Sequence, residues 1–257
     1  MTDDGRSPPS ALKGRLADVY VPALVSGALE ALSRRLGNRA TIDDPLYGRA
    51  SSLGSIDPLL ARVAAFFADG SATYEHVCST TGVDRDAAEG RIAMTINGEP
   101  RTLPIAIVAE RRRLREIELR VYYAPEIAVR APPHRKPRAA LVSTSSTDAR
   151  LPLADLVDTI VTGLRSGALE QALAGFEEVS RIVDPGGRPH DKTGGAMGTF
   201  LEELGALEVA IGGSADDGRT ACVEATVTRR SGETAPALLA FQRGDSGLVQ
   251  ELRVYWD

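Results

Sequence analysis

Ser26-Gly27-Ala28-Leu29-Glu30, followed after a gap by Asp44-Pro45, occurs a second time as Ser166-Gly167-Ala168-Leu169-Glu170 with Asp184-Pro185, each position of the second copy being the first plus 140. The apolar column ahead of it keeps the same register, Leu16 and Leu24 matching Leu156 and Leu164. Each half closes on Leu-Arg-Val-Tyr, at 119–122 and 252–255. Self-similarity at a fixed offset, in a stretch that is not of low complexity, marks two copies of one structural unit. It also puts the carboxylates Asp44 and Asp184 at the centre of any chemistry the chain performs.

Working outward, apolar residues from Ala11 to Leu36 recur at helical spacing, with Leu12, Leu16, Tyr20 and Leu24 on one stripe. Pro22 and Gly27 mark a kink and a break between two helices, and Tyr20 faces inward. Ala40 to Asp43 reads as a short strand, and Pro45 holds Asp44 extended at its end. Helical spacing returns from Ile56 to Phe67. Short alternating runs follow at Ala72–Thr80, Gly90–Ile96, Thr102–Ala109 and Arg115–Tyr123, with Gly82–Glu89 and Asn97-Gly98 as hairpin connections. The second half repeats the plan: helices from Leu153 to Phe176, a strand at Ser180–Val183, a helix near Ala196–Leu204, and strands near Leu207–Ile211, Ala221–Thr228, Ala237–Gln242 and Leu248–Trp256. Its Gly-rich stretch Gly186–Gly195 lacks the strand and lysine context of a phosphate cradle and reads as a flexible turn.

This order predicts an α+β chain of two tandem cone-shaped barrels, each a curved antiparallel sheet packed on helices and closed around a pocket. The boundaries fall at a polar arm 1–10, a first domain 11–128, a Pro-rich basic linker 129–150 and a second domain 151–257. Because a curved sheet leaves an outer face that needs cover, the halves are expected to pack sheet against sheet, as a monomer with an internal pseudo-dimer. Arg120 and Arg253 alternate with apolar residues and belong on that outer face. Leu119, Val121 and Tyr123, with Leu252, Val254 and Trp256, are then the substrate-facing set.

Composition narrows the function. A net charge of −5 with 43% hydrophobic and 25% charged residues describes a mildly acidic globular chain, giving no polyanion partner and no nucleic-acid role for Arg111-Arg112-Arg113. No window reaches the apolar length of a membrane span, and Met1–Gly5 has no leader pattern, so the expectation is cytoplasmic. Cys78 and Cys222 have no metal-spaced neighbours; they read as core thiols, with no metal site and no disulfide framework. His76 and His190 are single histidines on a strand and in a loop, with the ordinary hydrogen-bonded role as the simplest reading.

Tyr20-Val21-Pro22-Ala23-Leu24, Gly27 and Ala40-Thr41-Ile42-Asp43-Asp44-Pro45 together resemble the NTF2-like superfamily, the group of ketosteroid isomerase and the SnoaL-type polyketide cyclases. The resemblance implies Asp44 as general base and Tyr20 as donor to a substrate oxygen. It places Ala106 where the isomerase has a protonated Asp, and in the second half Ile160 at the Tyr20 position and Leu239 at that of Ala106. The tandem form resembles the epoxide-opening cyclases of polyether biosynthesis. That implies Asp44 and Asp184 as bases, Glu75 and Glu208 as acids, a small hydrophobic polyketide-like substrate, and no cofactor because only protons move. Two alternatives stand beside it: an isomerase or SnoaL-type cyclase using Asp44 and Tyr20, and a non-catalytic binding or scaffold protein.

Overall fold

The computed structural model describes residues 12–69, 71–112, 116–125, 154–204, 208–228, 232 and 234–256. The expected arm 1–10 and the linker 129–150 lie outside the described residues. In the first half, α1 (Leu16–Ser26) ends where Gly27 takes the left-handed conformation at φ 74° and closes the helix with its own N–H, a geometry glycine adopts without strain. Gly167 repeats this at φ 67°. The helix α2 (Leu29–Leu36) leads into a hairpin of β1 (Ala40–Asp44) and β2 (Gly48–Ala50). Then come α3 (Leu53–Asp69), β3 (Thr73–Thr81), β4 (Arg85–Ile96), β5 (Glu99–Arg111) and β6 (Ile117–Tyr122). Asn97-Gly98, at φ 53° and 80°, forms the two-residue turn between β4 and β5. The segment 82–89 is not a connection throughout, because β4 already begins at Arg85.

The sheet runs β2-β1-β6-β5-β4-β3 and is mixed, which corrects the expectation of a purely antiparallel one. Only β1 and β6 are parallel. The reason is topological: α3 carries the chain across to the far edge, and three hairpin reversals return β6 beside β1 pointing the same way.

The second half has the same plan. Helices α4 (Ala154–Ser166) and α5 (Leu169–Ala174) precede β7 (Phe176–Val183), β8 (Pro189–Asp191), α6 (Ala196–Leu204), β9 (Glu208–Asp216), β10 (Thr220–Thr228), β11 (Thr234–Arg243) and β12 (Val249–Trp256). The sheet order is β8-β7-β12-β11-β10-β9, again with one parallel pair, β7 with β12. Two expectations change here. Phe176 opens a strand rather than ending a helix, because Val249 N–H donates to Gly175 and draws the chain into the sheet. The Gly-rich stretch holds β8, paired with β7 from Arg181 to Val183, so it is a hairpin arm and not a loose turn.

Each half buries its own core beneath its helices, and a third cluster joins them. In that cluster Ala87, Ala106, Val108 and Tyr122 meet Cys222, Leu238, Ala240 and Tyr255, small side chains letting the two sheets approach closely. The arginines sit there as expected. Arg120 Nη2 donates to Glu224 Oε2 at 2.6 Å and Arg253 Nη2 to Glu89 Oε1 at 2.9 Å, each reaching across to the other half. Tyr122 and Tyr255 donate to the same two glutamates at 2.5 and 2.9 Å. The Arg–Glu attraction in this low-dielectric layer keeps both guanidinium pKa values above the usual arginine range, against the opposing effect of burial. Ala106 therefore faces the interface and not a cavity; its inward neighbours are Ile105 and Ile107. In the second half Leu238 takes the interface position and Leu239 turns inward.

Candidate functional site

Asp44 ends β1 at the floor of the first core and is 1% exposed. Its Oδ1 accepts from Leu46 N–H and Tyr47 N–H, both at 2.9 Å, which is the turn expected when an Asp precedes Pro. It accepts a third hydrogen bond from the Tyr123 hydroxyl at 3.1 Å, brought in by the chain continuing just past β6. Tyr20, on α1, is 1% exposed, and its hydroxyl has no hydrogen-bond partner among the described residues. Burial, then the Asp44 charge, push its pKa well above 10. Burial and then Asp44 act in the same direction on Tyr123. Tyr47 shows the same two causes, with the Arg62 guanidinium, 5.3 Å above its ring centre, opposing them. The core of the first half thus sets the Asp44 carboxylate among phenols that stay protonated at neutral pH and beside Leu103, Ile105, Leu119 and Val121.

Tyr74 adds a fourth phenol. It lies on the inner face of β3, its ring covers Gly90, and its buried hydroxyl has no hydrogen-bond partner among the described residues. Burial, with Asp18 and Glu89, raises its pKa to about 12. Of the six tyrosines in the chain, these four surround the first core and the other two seal the interface. Tyr47 and Tyr74 were not singled out in the sequence as site residues. The signal for Tyr47 was its place three residues after Asp44, where a turn folds it back; that for Tyr74 was strand alternation with Glu75.

The second half differs. Asp184 is 6% exposed, but Arg188 and His190 hold it. Oδ1 accepts from Arg188 N–H at 2.9 Å, and Oδ2 lies 3.2 Å from Arg188 Nε and 3.3 Å from His190 Nε2. The His190 ring stacks on Phe200 at 4.2 Å. Around it the core is Ile160, Val161, Leu239 and Val254, with Trp256 packed against its edge. That core carries no phenol, so Asp184 has the geometry of a braced turn.

Glu75 and Glu208 both lie at exposed positions of β3 and β9, while Tyr74 and Val209 turn inward. This corrects their expected place in the cavities. Strand alternation gives one face to each neighbour, and the aromatic and the valine take the buried one. Leu207 lies outside the described residues. His76 is exposed and pairs with Ser79 at 3.1 Å, away from Asp44. Leu119, Val121 and Tyr123 lie in the first core, and Leu252 and Val254 in the second. Among the described residues no cluster of His, Cys, Asp and Glu could hold a metal ion, and no helix is long and apolar enough to cross a membrane.

The class defined by this fold is a tandem of two α+β domains, each a six-stranded mixed sheet packed on helices. No family model and no curated protein matches the sequence. Solved structures similar to it include an NTF2-like protein of unknown function from Cytophaga hutchinsonii, at 18% identity over 44% of this chain and 94% of that one, TM-score 0.36. Another is a putative ketosteroid isomerase from Kribbella flavida, at 20% identity over 41% and 78%, TM-score 0.37. A third is a Mycobacterium tuberculosis protein in complex with estradiol-17β-hemisuccinate, at 15% identity over 42% and 95%, TM-score 0.36.

Proposed function

We propose that the first domain binds a small apolar carbonyl compound and moves a proton on it, with Asp44 as general base and Tyr20 as donor to the carbonyl oxygen. The observation that carries this is the Tyr20 hydroxyl: fully buried, without a hydrogen-bond partner among the described residues, and close enough to feel the Asp44 charge. Native proteins rarely leave such a group unsatisfied, since its desolvation costs about 1–3 kcal/mol, so a ligand oxygen is its natural complement. In the reaction, the Asp44 carboxylate takes a proton from the carbon beside the carbonyl. The enolate oxygen is held by the neutral Tyr20 phenol, and Asp44 returns the same proton to another carbon of the conjugated system. No redox step or co-reactant is needed.

Paired-carboxylate epoxide opening, the reading implied by the tandem resemblance, needs an acid facing each Asp. With Glu75 and Glu208 exposed, no such acid is supplied by the residues named for it. The isomerase-type reading needs only groups already in place. The second domain serves in it as the partner that covers the outer face of the first sheet.

A second reading, a binding protein without turnover, is favoured by one specific feature. Three donors on Asp44 Oδ1 stabilise the charged carboxylate and weaken it as a base. One experiment separates the two: cyclic β,γ-unsaturated ketones are offered in deuterated water while conjugation and label uptake are followed. Catalysis is expected to fall about 10²–10⁴-fold in Asp44→Asn and to persist in Asp184→Asn. A ligand-induced rise in Tm with neither conjugation nor label uptake by the parent protein selects the binding reading, and an Asp44→Asn variant as active as the parent removes Asp44 from the mechanism.

A further inference from the structure

The pairs of Arg120 with Glu224 and of Arg253 with Glu89 are two-fold symmetric across the layer between the sheets, and Arg85 breaks that symmetry. Glu89 on β4 and Glu224 on β10 occupy equivalent places, each taking the arginine of the opposite half. Strand pairing sets Cys78 beside Glu89 and Gly213 beside Glu224. Four residues before each glutamate stand Arg85 and Thr220. The Arg85 guanidinium lies across the interface in the place that a Cβ at position 213 would take, so glycine is what leaves it room. At the equivalent contact Thr220 Oγ1 meets Cys78 Sγ at 3.8 Å. Arg85 is not at liberty to swing aside. Its side chain is 12% exposed and held by Glu110 at 3.3 Å and Glu224 at 3.9 Å. The asymmetry extends to its counter-ion, since Arg85 pairs across the sheet with Glu110 where Thr220 pairs with Gln242.

We propose that Arg85 and Gly213 form a steric key, so that this interface accepts an unlike half and rejects a like one. Two first halves face to face would drive Arg85 against Cys78, whose side chain fills the space that Gly213 leaves open. Two second halves would set Thr220 over Gly213, with a gap where the guanidinium belongs. The Arg120–Glu224 and Arg253–Glu89 pairs cannot discriminate, because each half carries both an interface arginine and an interface glutamate and would pair equally well with itself. Clash and cavity supply the difference instead, which is how specificity arises when attractive contacts are shared. The surface therefore fits the second half of this chain, in the same molecule or in another copy. Every assembly it builds contains one Asp44 site for each Asp184 site.

The test starts from the folded, intact chain, cut at a protease site introduced at Pro137, after which native mass spectrometry counts unlike and like pairs. Unlike pairs are expected to outnumber like pairs by roughly tenfold or more, where a statistical mixture would hold equal numbers of each. In Arg85→Thr with Gly213→Cys, which makes the two contacts alike, the excess is expected to fall toward a statistical mixture. Statistical mixing in the unaltered protein, or an undiminished excess in the double variant, overturns the key. A second measurement on the uncut chain does not depend on exchange. Gly213→Val is expected to lower Tm, and Arg85→Ala in the same chain to restore most of the loss, whereas strictly additive losses would show that the two positions are not coupled.

Discussion

Replacing Tyr20 by phenylalanine removes one oxygen and keeps the ring that packs α1 on the first core. The hydroxyl is lost from a site 1% exposed where it makes no hydrogen bond to the described residues. In the unliganded protein its desolvation is an uncompensated cost, so the variant should be more stable than the parent by about 1–3 kcal/mol. Tyr123→Phe gives the opposite sign. Its hydroxyl donates to the Asp44 carboxylate at 3.1 Å, and deleting a bond to a charged acceptor costs about 1.5–3 kcal/mol. Urea unfolding of both variants reads the difference directly, with the m-value as a check that the unfolded state is unchanged. Turnover should move against stability for Tyr20→Phe, falling about 10²–10³-fold if its phenol holds an enolate oxygen. If Tyr20→Phe is as destabilised as Tyr123→Phe, the hydroxyl is satisfied without a ligand and the argument for a site at Tyr20 fails.

Other outcomes follow from the same structure. Glu224→Gln, which weakens the acceptor for buried Arg120 and Tyr122, should destabilise by about 3–5 kcal/mol. Glu251→Gln, at a more exposed carboxylate, should cost visibly less by the same urea assay. Alkaline pH should unfold the protein: burial raises the Tyr20, Tyr123 and Tyr255 phenols above their unfolded value of 10.0. Above that value the unfolded chain has released protons that the folded one keeps. The stability is therefore complete below it and falls as pH rises toward the folded values, by about 1.4 kcal/mol per pH unit for each such phenol. Tyr20→Phe should make that slope shallower by one phenol in a pH series of unfolding curves, and an unchanged slope would contradict the assignment. Gly90→Ala should cost about 1–3 kcal/mol by thermal unfolding because the Tyr74 ring occupies the space of the added methyl. Tyr74→Ala in the same chain should recover part of it.

The repeat of Ser-Gly-Ala-Leu-Glu and Asp-Pro determined by itself that the chain folds twice in one plan. The alternation of Leu119, Arg120, Val121 and Tyr122 determined which side of β6 meets the core and which meets the other half. These were legible because helical and strand periodicities record burial locally, and because Gly27 and Gly167 mark the same left-handed helix end. The short strands β2 and β8 were not legible. Three residues each carry no period, and they are strands only because β1 and β7 offer them hydrogen-bond partners.

The site was legible in part. The resemblance paired Asp44 with Tyr20, but the paired acids were not where the resemblance implied, because Glu75 and Glu208 share strands with residues that take the inner face. The Asp-Pro motif itself does not distinguish Asp44 from Asp184. Tertiary structure decided between them by what it brought from far away: Tyr123 reaches Asp44 across 79 residues of sequence, whereas Asp184 finds Arg188 and His190 within six. The same holds for Arg85 and Gly213, which sit in unremarkable strand patterns until the two sheets meet. A periodic pattern reports how one element faces water, while the partner that satisfies or crowds a buried group is fixed only when distant elements share a volume.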